Sequence, residues 1–205
     1  EILVFFDIVL SAIRICRGYL VTNQAKNEKK VKFVHHRIYC FILGGKNNKK
    51  NRMEKAELKI EYEVYKESCP EEYKELCHAA FEMTRNAYCK YSEFAVGAAV
   101  LLNNGEIVCG SNQENAAFPS GICAERTALF YACSTFPEVG VKAMAVAARN
   151  KGVPLEEFIT PCGACRQVIS EVIKRYRSDF DVILIGRKTT ISVKASQLLP
   201  FAFDM

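Results

Sequence analysis

From position 58 onward the hydrophobic and polar positions fall into short, ordered runs. In LKIEYEVY (58–65), Leu58, Ile60, Tyr62 and Val64 alternate with charged residues, the period of a half-buried strand. Ser68, followed by Pro70, Glu71 and Glu72, opens a helix running to about Tyr88. Phe94 to Leu102 is an apolar strand, NNGE (103–106) a hairpin turn, and Ile107 to Ser111 the returning strand. A helix starts near Cys123 and ends before Pro137, and VKAMAVAA (141–148) reads as a buried strand. Residues 162–177 predict a helix and DVILIG (181–186) a second buried strand. A short strand around Thr190–Val193 and a helical turn at 195–199 follow. Strands interleaved with helices, two of the strands apolar throughout, imply an α/β sheet covered on both faces.

The first fifty residues read differently. EILVFFDIVLSAIRICRGYL is apolar but interrupted by Asp7 and Arg14, so it lacks the roughly 20-residue apolar run of a membrane span. It has neither a leading positive charge nor a small-residue cleavage site, which argues against a secretory signal. Asp7 and Arg14 fall on one helical face, which suits a short amphipathic helix, and GGKNNKKNR (44–52) has the composition of a flexible linker. The expected organisation is therefore an N-terminal extension, 1–52, outside a domain spanning 53–205, with Met53 as the expected start of the functional protein.

Charge sharpens that division. Residues 1–52 hold eleven Lys or Arg against three Asp or Glu, whereas 53–205 hold seventeen against twenty. The larger part is mildly acidic and shows no electrostatic footprint for nucleic acid. Half of the 205 residues are hydrophobic, enough for a core without disulfides, and the ten cysteines are expected to be reduced and partly metal-binding, as in the cytoplasm.

Three of those cysteines carry the candidate chemistry. Cys162 and Cys165, after Pro161, occupy the first turn of one helix, and Cys123 the start of another. Unpaired N–H groups and the positive dipole end lower a thiol's pKa there. Three thiolates with no fourth Cys or His at a matching spacing suit a tetrahedral zinc with an open position, the pattern of a catalytic site. A lone C-x-x-C reads equally well as a redox pair, but C-A-E forty residues upstream favours metal. Glu125, two positions after a ligand, can lie beside the open position and move a proton, since zinc lowers the pKa of bound water to about 7. Arg126 or Arg166, each next to a ligand, can donate to sulfur and offset the excess negative charge.

Four separated motifs carry a resemblance: YSEFAVGAAV (91–100), NQENAAFPSGICAERTALF (112–130), PCGACRQV (161–168) and LLPFAF (198–203). Together they resemble the cytidine deaminases, in particular the small homotetrameric kind with three cysteine ligands, from about Glu57 to Met205. The resemblance implies a three-layer αβα fold with a mixed sheet of about five strands. It implies one Zn2+ per subunit held by Cys123, Cys162 and Cys165, with Glu125 as the catalytic proton carrier and Arg126 behind the metal. It further implies that main-chain groups of Ala124 and Cys162 meet the pyrimidine edge, Asn112 and Glu114 the ribose hydroxyls, and Phe94 the nucleoside, while Phe203 enters a neighbouring subunit's site. Two departures stand out: Phe118 where a Tyr is common, and Lys90 where a Pro is usual.

The expected reaction is hydrolytic deamination of cytidine and deoxycytidine in pyrimidine salvage, by a cytoplasmic homotetramer whose partner is a small nucleoside rather than nucleic acid or membrane. Rival readings are a deaminase of a related cytosine nucleoside such as blasticidin S, a non-catalytic zinc-stabilised nucleoside-binding protein, and a nucleic-acid editor suggested by the basic N-terminal segment.

Overall fold

The computed structural model describes residues 55–203. The chain divides into two units, Glu1–Glu57 and Leu58–Met205, and the second carries every element below. The amphipathic helix and the linker expected within 1–52 lie outside the described residues.

The elements follow the order β1 (Tyr62–Lys66), α1 (Lys74–Met83), β2 (Phe94–Leu102), β3 (Ile107–Ser111), α2 (Ala124–Thr135), β4 (Val141–Asn150), β5 (Val153–Pro154), α3 (Gly163–Tyr176), β6 (Asp181–Leu184) and β7 (Thr189–Lys194). Single 3-10 turns flank α1 and follow β7. One mixed sheet runs β1-β7-β6-β4-β2-β3, with the two-residue β5 paired to β4. β4 and β6 are parallel, joined through α3, and the other neighbours are antiparallel. The expected α/β class and layering hold, with six or seven strands in place of about five; among the described residues the strand that the pattern did not give is the two-residue β5.

Alternation along the strands divides the core into two layers. Ala99, Ala143, Ala145, Ala147 and Ile183 face α1, packing on Leu76, Cys77 and Ala80. Ala98, Val100, Leu102, Met144, Val146, Val182 and Leu184 face the other way, onto Ala128, Leu129 and Ala132 of α2 and Ile169 and Val172 of α3. The strands at the centre of the sheet are buried on both faces, which is why they read as continuous apolar runs.

Glycine sets how closely the helices approach. A Cβ on Gly97 would lie 2.2 Å from the Ala80 carbonyl oxygen, and one on Gly110 only 2.5 Å from the Ala128 nitrogen. The second contact presses α2 onto β3, and β3 leads directly into Asn112. The segment 58–65 departs from expectation: Leu58, Ile60, Tyr62 and Val64 are all largely exposed. The physical reason is position, since β1 pairs with β7 alone at the edge of the sheet.

Candidate metal centre and active site

Cys123 and Cys162 are the N-cap residues of α2 and α3, both in extended conformation and neither making a side-chain cap bond. In place of the usual Ser, Thr or Asp, each helix thus begins on a thiol beside its unpaired N–H groups. Cys165, one turn into α3, is fully buried. The two helix starts converge: the Cys123 and Cys162 sulfurs are 3.9 Å apart and those of Cys162 and Cys165 3.5 Å, and all three lie within 4.8 Å of one another. Sulfurs at the corners of a tetrahedron around zinc, with Zn–S near 2.3 Å, would stand about 3.8 Å apart. The triad fits the metal.

The charges around the sulfurs fit it too. Hydrogen bonding from Cys165, with help from Arg126, pulls the Cys123 thiol down to about 5. Cys165 is pushed up, first by its bond to Cys123 and then by burial, so without a cation only one of this pair holds a charge comfortably. Arg126 Nη2 donates to Cys123 Sγ at 3.7 Å. Of the two arginines expected to reach sulfur, Arg126 does so. Arg166 instead donates to the carbonyls of Pro161 (2.8 Å) and Leu198 (3.2 Å), tying the turn before Cys162 to the C-terminal segment.

Glu125 is 95 % buried, only 5 % exposed, at the floor of this cluster. Burial, the largest influence, pushes its carboxyl above the usual range, although its own backbone N–H and the Cys165 thiol oppose that shift. A carboxyl group is rarely sealed in a core without a partner, and here it lies beside the Cys165 and Cys123 thiols.

Cys123 and Cys162 line a cavity of about 420 Å³, whose walls also include Asn112, Glu114, Phe118, Ala124, Glu125 and Thr160. Asn112 and Glu114 reach it because Gln113 and Ile122 exchange backbone hydrogen bonds, both at 2.9 Å, which sets the end of β3 against the start of α2. Asn112 Oδ1 accepts from the Val96 N–H at 2.8 Å and Nδ2 donates to the Phe94 carbonyl at 2.9 Å, so the side chain is clamped to β2. Glu114 Oε2 accepts from the N–H groups of Tyr91 (2.7 Å) and Ser92 (3.3 Å). Phe94 does not line this cavity; Val96, two positions further on, does. Phe203 is two-thirds exposed, and its backbone is paired at both ends to the Gln167 amide of α3, at 3.3 and 3.1 Å. Sequence reasoning missed Val96, Thr160 and Gln167; the first two are chemically plain side chains, visible only once the walls are assembled.

Residues 70–176 match the family described as the cytidine and deoxycytidylate deaminase zinc-binding region, and the chain belongs to that family. Cytidine deaminase of Halalkalibacterium halodurans is 40% identical over 129 residues, 62% of this chain and 91% of that protein. A probable cytidine deaminase of Dictyostelium discoideum is 38% identical over 135 residues, 65% of this chain and 85% of that protein. Among solved structures, cytidine deaminase from Burkholderia pseudomallei superposes with a TM-score of 0.54 at 38% identity, covering 63% of this chain and 97% of that one. The enzyme from Mycobacterium tuberculosis gives a TM-score of 0.52 at 30% identity, covering 65% and 98%.

Proposed function

We propose that this chain is a zinc-dependent hydrolase that converts cytidine and deoxycytidine to uridine and deoxyuridine with release of ammonia. The single observation that carries this reading is the buried carboxylate of Glu125 beside three convergent thiols at the floor of a nucleoside-sized cavity. Cys123, Cys162 and Cys165 would hold the zinc, which when bound supplies Lewis-acid activation of water.

The remaining steps belong to the chain itself. Glu125 takes one proton of the attacking water and delivers it to ring N3 as C4 becomes tetrahedral; it then takes the remaining proton from the new C4 hydroxyl and passes it to the amine, which leaves as ammonia while C4 becomes a carbonyl. Burial raises the Glu125 pKa, the direction that makes the carboxylate a stronger acceptor for the water proton. Ala124, at the first position of α2, presents its backbone to the pyrimidine edge from the cavity wall. Asn112 and Glu114 receive the ribose hydroxyls, and their bonds to β2 and to 91–92 hold them in place before substrate arrives. A ribose-gripping pair favours a nucleoside over a free base, since buried polar groups left unpaired penalise the wrong ligand. Arg126 offsets charge on Cys123.

We further infer a homotetramer in which Phe203 closes a neighbouring subunit's cavity, as befits an aromatic side chain held outward by Gln167. All eight cysteines among the described residues are free thiols, which supports a reducing compartment such as the cytoplasm. Among the described residues no helix is long and apolar enough to cross a membrane.

Glu125→Gln tests the central assignment. It should retain zinc and fold while turnover, followed as loss of cytidine absorbance, falls by about 10²–10⁴-fold. Near-wild-type turnover would remove Glu125 from the chemistry. A non-catalytic nucleoside-binding protein would instead bind cytidine and release no ammonia.

A further inference from the structure

Val96 faces the thiolate cavity, while its neighbour Ala95 faces a second cleft on the opposite side of the sheet. This open cleft measures about 650 Å³ and lies between the Thr84–Lys90 segment, the start of β2 and the end of β4. Four cationic side chains line it, Arg85, Lys90, Arg149 and Lys151, against a single carboxylate, Glu93. Arg85 is spoken for by Glu82, one turn earlier at 2.8 Å. Lys90, Arg149 and Lys151 have no carboxylate partner among the described residues.

Arg149 and Lys151 are also placed with care. Arg149 Nε donates to the buried Thr84 hydroxyl at 2.7 Å, and its guanidinium lies 4.2 Å over the Phe81 ring, so the group is fixed before any ligand arrives. Lys151 and Gly152 form the two-residue turn between β4 and β5, with φ of 49° and 78°. Both values are left-handed, as a tight hairpin requires, and the first of those positions ordinarily belongs to Asn, Asp or Gly. Lysine there serves the turn poorly, so its amine is the better reason for its presence. Opposite it, Glu93 is left-handed as well (φ 53°), and its carbonyl accepts the Lys151 N–H at 2.9 Å. Backbone strain thus gathers on both walls of one cationic cleft, where strain is characteristic of ligand clamps.

We propose that this cleft binds a phosphate-bearing ligand at a site separate from the thiolate cavity. Three unpaired cations against Glu93 leave a surplus matched by a phosphate dianion, which can accept charge-assisted hydrogen bonds from the fixed guanidinium and both amines. Like charges gathered around one cleft repel one another, and an anion between them reverses that term. The cleft is large enough for a nucleoside phosphate as well as for the inorganic ion. The assignment is independent of the deaminase reading.

Titration calorimetry on the zinc-loaded full chain at low ionic strength tests it, with inorganic phosphate, inorganic triphosphate and a nucleoside triphosphate as separate probes, and acetate as the control anion. Saturable one-to-one binding of the phosphate species is expected, and Lys90→Ala and Lys151→Ala should each weaken it by about tenfold. Lys142→Ala, at the opposite end of β4, should leave affinity within about twofold, because exposed charges that far apart are screened. Zinc content and circular dichroism of the variants must match the parent. Tighter binding of the nucleoside triphosphate than of inorganic triphosphate identifies a nucleotide as the source of the phosphate, and equal binding identifies the phosphate group alone. Absence of saturable heat for every phosphate species, or unchanged affinity in a Lys90→Ala/Lys151→Ala double variant, overturns the proposal.

Discussion

Cys165 and Glu125 sit next to each other in the core, and what each does depends on charge. A fully buried thiol is a small hydrophobe until a cation makes its thiolate stable. Cys165→Ala should therefore leave a folded protein that no longer retains zinc through gel filtration, as metal analysis would show. Zinc held as firmly as in the parent would exclude Cys165 as a ligand. Glu114 offers a pH test. Hydrogen bonds from Ser92 and the Tyr91 backbone hold its carboxyl below the usual range. A depressed carboxyl contributes to order above its unfolded pKa, about 4.3, and that contribution is lost as pH falls through the folded value. Grip on the 91–92 backbone should thus persist at neutral pH and fail only in acid, where those two amides should exchange faster relative to their intrinsic rate at that pH. Glu114→Gln should show that faster exchange already at neutral pH. Arg126 against Arg166 shows what the sequence withheld at this level. Each adjoins a ligand, and only the helix geometry turned one toward sulfur and the other toward the carbonyls of Pro161 and Leu198.

The helices deliver the site because they can come close to the sheet. On β3, Gly110 leaves room for the first turns of α2, with the Ala124 carbonyl 2.8 Å and the Ala128 nitrogen 2.5 Å from where a Cβ would stand. Both neighbours are backbone, so a side chain there must displace the helix. Gly110→Ala is expected to cost about 1–3 kcal/mol in denaturant unfolding and to weaken zinc retention with it, since Cys123 caps that helix. Loss of stability with zinc affinity intact would show that α2 can yield without moving its first turn. Most boundaries were legible beforehand. The apolar run of β2, the NNGE hairpin and the two helices that begin on cysteines all stand where periodicity and turn chemistry put them. The long helix expected from Ser68 to about Tyr88 is shorter, its ends being 3-10 turns around Lys74–Met83. Phe94 was assigned to the cavity from its motif, yet the side chain that reaches the cavity from β2 is Val96.

A fold with this much exposed aromatic surface invites company. Phe118, Phe201 and Phe203 are 81%, 90% and 67% exposed, and Tyr91 meets Phe118 edge-on at 6.5 Å beside the cavity mouth. Surface of that kind usually marks an interface. Sedimentation equilibrium should give the mass of four 23.1 kDa chains, and Phe203→Ala should lower kcat/KM for cytidine while the assembly persists. A monomer of full activity would refute both the assembly and the shared site. Protein beginning at Met53 should be as active as the whole chain, if residues 1–52 lie outside the catalytic domain.

Residue types and their spacing were enough to mark three sulfurs and a carboxylate as one chemical set, because helix starts and short motifs are local and leave their signature along the chain. Strand order, the exposure of β1, and the choice of Arg126 over Arg166 were decided only by packing. So was the second, cationic cleft behind the sheet, whose lining comes from segments some sixty residues apart. Contacts of that kind depend on how the whole sheet is assembled, and periodicity within a single segment carries no record of its neighbours.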